Sequence, residues 1–132
     1  MSPSAISISL TWLLGVLAPA VGNMHGLFKS MVGHEAEKHL GIERIAEIKQ
    51  ATGVFMTLHG GSGTNDQDFK KAIKSGMTIV HVNTELRLAW RRGLEAAFAR
   101  EPAEVAPYNL LPGALQAVKE VVRARLQLFN SP

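Results

Sequence analysis

His59 is followed directly by Gly60, Gly61, Ser62 and Gly63, and it closes the apolar run Val54-Phe55-Met56-Thr57-Leu58. An imidazole in that position can ligate a metal or hydrogen-bond a substrate. A glycine-rich turn beside it lets backbone N–H groups point at an anion. The stretch Ala18-Pro19-Ala20-Val21-Gly22-Asn23-Met24-His25-Gly26 repeats the pattern, an apolar run that again ends in His-Gly. Two neutral imidazoles on consecutive strand ends begin a zinc site without completing it, because catalytic zinc usually takes three protein ligands and keeps one position open. The third ligand would be His81, a carboxylate, or a residue outside this chain. For His81 itself the preferred reading is a buried, hydrogen-bonded histidine lining the pocket. His34-Glu35-Ala36-Glu37-Lys38-His39 lacks the His-Glu-x-x-His spacing that puts two imidazoles on one helical face, so Leu27 to His39 reads as a solvated loop or lid.

These residues need elements to position them. Val54 to Leu58 has the length and composition of a buried strand. Thr64 and Gln67 have capping-box spacing, which predicts a helix start there, with Phe69, Ala72 and Ile73 on its apolar stripe and Gly76 at its end. Upstream, Ile42, Ile45 and Ile48 alternate with charged residues and predict an amphipathic helix ending at Gly53. A strand is predicted near Val16–Val21 and another over Met77–Asn83, the latter placing Ile79, His81 and Asn83 on one face. A long helix follows from Thr84-Glu85, with Leu86, Ala89, Trp90, Leu94, Ala97 and Phe98 on one side. Glu101 to Leu111 reads as a loop. Pro112 then opens a last helix striped by Leu115, Val118, Val122, Leu126 and Phe129, with Arg123 and Arg125 toward solvent.

Alternation of this kind predicts an α/β fold with a parallel sheet. Three parallel strands alone would leave two open edges, so the pattern reads as part of a larger sheet. In (β/α)8 barrels the loops after strands seven and eight often form a phosphate site. Gly60-Gly61-Ser62 and Asn83-Thr84 would be those loops, both leading into helix starts.

Composition sets the outer bounds. The chain has 132 residues and a net charge of +3. It can hold one small domain, but a whole eight-unit barrel usually needs roughly 250 residues. Its basic residues are interleaved with glutamates, so no nucleic-acid footprint is expected. With no cysteine, disulfides and thiolate metal sites are excluded. Ile6 to Val21 is largely apolar, and Ala18-Pro19-Ala20 resembles a signal-peptide cleavage site. However, no Lys or Arg precedes the run, and Gly15 and Pro19 interrupt it. The preferred reading sets residues 1–14 apart as an apolar leader, with no membrane span; a secreted histidine-based metal-binding domain is the competing one.

Three segments, Ala18–Gly26, Leu58-His-Gly-Gly-Ser-Gly63 and Val82-Asn-Thr-Glu-Leu-Arg87, resemble in order and spacing the carboxyl-terminal half of class II, metal-dependent fructose-bisphosphate and ketose-bisphosphate aldolases. The resemblance runs from about Gly15 to near the end. It implies the last strand–helix units of a TIM barrel plus a terminal helix over residues 15–132, with the barrel incomplete in this chain. It implies that His25 and His59 ligate Zn2+ or another divalent metal, with room for a monovalent cation. Gly26, Gly60, Gly61 and Ser62, with His81, Val82, Asn83 and Thr84, would bind the phosphorylated sugar. His81 stands where members commonly carry Asn, although His can also hydrogen-bond a hydroxyl. The reaction implied is reversible aldol cleavage of a ketose bisphosphate in a cytoplasmic homo-oligomer. The proton-transferring aspartate and a further metal-ligating histidine are expected upstream of the residues present here. A non-catalytic remnant that keeps part of the metal and phosphate sites is the alternative.

Overall fold

The computed structural model describes residues 15–23 and 39–130. The apolar leader, His25, Gly26 and His34 lie outside them. The chain forms two compact units, residues 1–82 and 83–132.

Among the described residues the first unit holds three strands, β1 (Val16–Leu17), β2 (Phe55–Leu58) and β3 (Met77–Val80), all parallel in the order β1-β2-β3. Helix α1 (Ile42–Thr52) connects toward β2, and α2 (Asp66–Lys74) lies between β2 and β3. The predicted first strand is shortened to two residues. Pro19 has no N–H for a ladder, which limits any extension toward Val21. Helix α1 ends as expected at Gly53, whose φ of 68° is the left-handed C-cap conformation. Lys49 strengthens that end, donating from Nζ to the carbonyls of Gly53 (3.2 Å) and Val54 (2.9 Å).

Helix α2 begins one residue later than the capping-box reading, at Asp66. Asn65 is the cap, its Oδ1 accepting from the Asp68 N–H at 2.8 Å. An extended Asn at this position satisfies an otherwise orphaned amide directly. Ile45, Met56, Leu58, Phe69, Ala72 and Met77 form the unit's buried core. The pleat sends Phe55, Thr57 and His59 to the other face of β2. On that face Val16, Phe55 and Ile79 are exposed, Phe55 by 60%.

The second unit is a helical hairpin of α3 (Thr84–Arg100) and α4 (Pro107–Phe129). Glu85 near the start of α3 meets Arg125 near the end of α4 at 2.8 Å, so the helices run antiparallel. Arg125 is therefore paired and largely covered rather than turned to solvent. A Cβ on Gly93 would lie 2.6 Å from the Ala114 Cα, so the two backbones approach where both residues are small. That approach makes Leu110 and Ala114 the buried positions of α4, while Leu115, Val122 and Leu126 of the predicted stripe are exposed. Helix α4 starts at Pro107, not Pro112. Proline at the first position has no intrahelical partner to lose, and Pro112 is accommodated in the second turn. Among the described residues no helix is long and apolar enough to cross a membrane.

Candidate active site

The site sits where β2 and β3 end. Between Met56↔Met77 and Thr57↔Ile79 the register shifts by one residue, leaving Thr78 as an extra position. Without that bulge, His59 would face Val80, because a one-residue slip exchanges the faces of a strand. With it, Leu58 pairs with Val80 and the next residues on each strand, His59 and His81, come together. Their rings meet edge to face, with centroids 4.6 Å apart and planes at 85°. Both residues are exposed at this edge, so His81 is not the buried histidine expected: it lies past the last residue of β3, where the strand no longer covers it.

Backbone bonds hold the turn after His59. The His81 N–H donates to the Leu58 carbonyl at 3.0 Å, the Gly61 N–H to the His81 carbonyl at 3.1 Å, and the Thr64 N–H to the Gly61 carbonyl at 3.1 Å. Gly60 and Gly63 adopt positive φ, 68° and 83°, which side chains rarely tolerate. Gly61 sits in a tight space instead: a Cβ there would lie 3.0 Å from the His81 carbonyl oxygen and 3.3 Å from the Phe69 ring. Ser62 is buried beneath this turn. The Thr64 hydroxyl is buried too, with no hydrogen-bond partner, and so is the Thr57 hydroxyl on the same strand face as His59.

Two side chains that carried no role in the sequence reading connect this turn to its neighbours. Asn23 donates from Nδ2 to the His59 carbonyl at 2.7 Å and accepts the Val21 N–H on Oδ1 at 2.8 Å. Asp68, nearly buried at the first turn of α2, accepts the Leu40 N–H at 2.9 Å, with His39 Nδ1 at 3.5 Å from the same oxygen. Asp68 was detectable as an acid flanked by the apolar positions Phe69 and Ala72. Asn23 had no such signal, because its partner is a backbone carbonyl far along the chain.

His59, Gly60, Gly61, Ser62 and His81 are thus brought together in the first unit, and Val82 closes it. Asn83 and Thr84 open the second unit, where Asn83 is the N-cap of α3 and Thr84 its first helical residue. His25 and Gly26 lie outside the described residues. Among the described residues no three His, Asp or Glu side chains cluster as a metal site.

A parallel strand–helix alternation with its polar residues at the carboxyl strand ends is the arrangement of a segment of an α/β barrel. The family described as Fructose-bisphosphate aldolase class-II matches residues 9–132, and the chain belongs to that family. It is 36% identical over 115 residues to a Bacillus subtilis protein named probable fructose-bisphosphate aldolase, covering 87% of this chain and 38% of the relative. It is 33% identical to a 6-phospho-5-dehydro-2-deoxy-D-gluconate aldolase of Shouchella clausii, over 87% of this chain and 37% of the relative. Among solved structures, the YdjI aldolase from Escherichia coli K12 superposes with a TM-score of 0.68 at 31% identity, covering 88% of this chain and 40% of that one. The chain therefore spans well under half the length of these relatives.

Proposed function

We propose that this chain carries the metal-ligating and phosphate-binding edge of a class II ketose-bisphosphate aldolase. The reaction is reversible cleavage of fructose 1,6-bisphosphate to dihydroxyacetone phosphate and glyceraldehyde 3-phosphate, in a cytoplasmic homo-oligomer. The observation that carries the reading is the pairing of His59 and His81 at the strand ends, beside a turn with Gly60 and Gly63 at positive φ and Gly61 closely packed.

The donor set fits a divalent metal in part. His59 supplies an exposed imidazole at the strand end, and His25 lies two residues beyond Asn23, which is bonded to the His59 carbonyl. These two would hold Zn2+, with further ligands outside the set. Zn2+ bound there would supply Lewis-acid polarisation of the ketose carbonyl. The chain's own residues bind and orient. The Gly61 amide is committed to His81, so its part is to bring the turn close rather than to donate to phosphate. The buried Thr64 hydroxyl, otherwise unpartnered, is a donor suited to an anion at the same turn. Gly26, Gly60 and Ser62, with Val82, Asn83 and Thr84, complete the proposed phosphate-binding set, and His81 hydrogen-bonds a sugar hydroxyl. Cleaving the C3–C4 bond also requires removal of the C4 hydroxyl proton, and none of these residues is assigned that step.

Zinc titration by calorimetry tests the proposal, run beside a coupled assay of fructose 1,6-bisphosphate, tagatose 1,6-bisphosphate and the 2-deoxygluconate substrate class. Zinc binding that His59→Ala weakens by about 100-fold or more is expected, since outer-sphere changes alone cost 10–100-fold. Little turnover is expected from the chain by itself. Unchanged zinc affinity in His59→Ala would remove His59 from the site.

A further inference from the structure

We propose that Asn23 is a positioning residue for His59: its side-chain amide holds the segment that follows β1 against the end of β2 and so sets the backbone from which the His59 imidazole projects.

Strands β1 and β2 share just two registered pairs, Val16↔Phe55 and Leu17↔Met56. Pro19 then withholds a ladder donor, so backbone pairing does not carry the two chains to the level of His59. Asn23 closes the gap from the side chain. Its orientation is chemically determined: Oδ1 faces the Val21 N–H, a donor, so Nδ2 must face the His59 carbonyl, an acceptor. Both halves of the amide are used. On its other side the His59 segment is held by β3, through the His81 N–H to the Leu58 carbonyl. The peptides on either side of His59 are therefore gripped, the entering one at the Leu58 carbonyl from the residue after β3 and the leaving one at the His59 carbonyl from Asn23, and the edge-to-face contact with His81 depends on that grip. Losing an outer-sphere hydrogen bond that orients a ligating histidine typically costs about 10–100-fold in metal affinity. Here the bond is to the histidine's own backbone. This inference rests on the metal-site reading above for its effect on zinc, and on geometry alone for its effect on the ring pair.

Two variants separate the local turn from the cross-strand tie. Asn23→Leu removes both bonds at similar volume. Asn23→Asp keeps an acceptor for the Val21 N–H but has no donor for the His59 carbonyl. In the full metal-free chain, the nuclear Overhauser contact between the His59 and His81 ring protons is expected to be strong in the parent and lost in both variants, with backbone shifts of β3 unchanged. In Asn23→Leu the zinc dissociation constant should rise about tenfold. Retention of the ring contact in both variants would overturn the proposal, as would zinc affinity in Asn23→Leu equal to that of the parent. If the parent binds no zinc while the ring contact is still lost in the variants, the positioning role stands and the metal reading falls.

Discussion

His59 and His81 face each other because Thr78 is an extra residue in β3. The bulge converts a register in which His59 would oppose Val80 into one in which the two imidazoles meet at 4.6 Å. His81→Asn, which restores the side chain common in the resembling family, keeps a hydrogen-bonding group and removes the ring. Because His81 is read as a pocket-lining residue and not as a ligand, zinc affinity should stay close to the parent value. Loss of the edge-to-face pair should cost at most about 0.5–1.5 kcal/mol, measured by urea unfolding.

The Thr64 hydroxyl is buried without a partner. Replacing such a group by an apolar one of the same shape is nearly neutral or stabilising. Thr64→Val should therefore leave the melting temperature of the ligand-free chain unchanged or slightly raised, while lowering its affinity for inorganic phosphate in a calorimetric titration. A clear loss of stability would show that the hydroxyl has a structural partner.

Asp68 accepts the buried Leu40 N–H and so joins the residues that lead into α1 to the start of α2. Asp68→Ala leaves that amide unsatisfied, at a cost of about 1–3 kcal/mol. Denaturant unfolding should show a lower midpoint at unchanged slope. Amide exchange should show faster exchange at Leu40 than in the parent.

Glu104 works at the other end of the chain. It accepts from the Val105 and Ala106 N–H groups and from Asn109 Nδ2, where α4 begins. The Ala106 N–H, and then the Asn109 amide, hold its carboxyl below the usual glutamate value of 4.5. A depressed folded-state pKa means the unfolded chain binds the proton more tightly, so acid favours unfolding. The contribution is fully present above about pH 4.5 and is lost as the pH falls through the lowered value. Glu104→Gln should flatten the stability profile across that acidic range and leave its shape above pH 6 unaltered, as read by circular dichroism melts.

Much was legible in the sequence because it depends on neighbours a few residues apart. The Ile42–Ile45–Ile48 periodicity, Gly53 as a C-cap, the apolar run before His59 and the strand–helix alternation are local patterns, and they suffice for a parallel α/β segment. The His-Gly-Gly-Ser-Gly run likewise marked the turn. Tertiary structure decided what depends on contacts between distant residues. Periodicity alone could not reveal that Thr78 would bulge, and so that His81 rather than Val80 would meet His59. Nor could it show that the Gly61 amide bonds within the protein, that Asn23 reaches the His59 carbonyl, or that α4 turns Leu110 and Ala114 inward because Gly93 admits it so closely. Hydrogen bonds to backbone carbonyls and steric fit between backbones leave little mark on residue type. The sequence by itself marked His59 as the residue that closes a strand; the packing of β3 against β2 decided that His81 meets it.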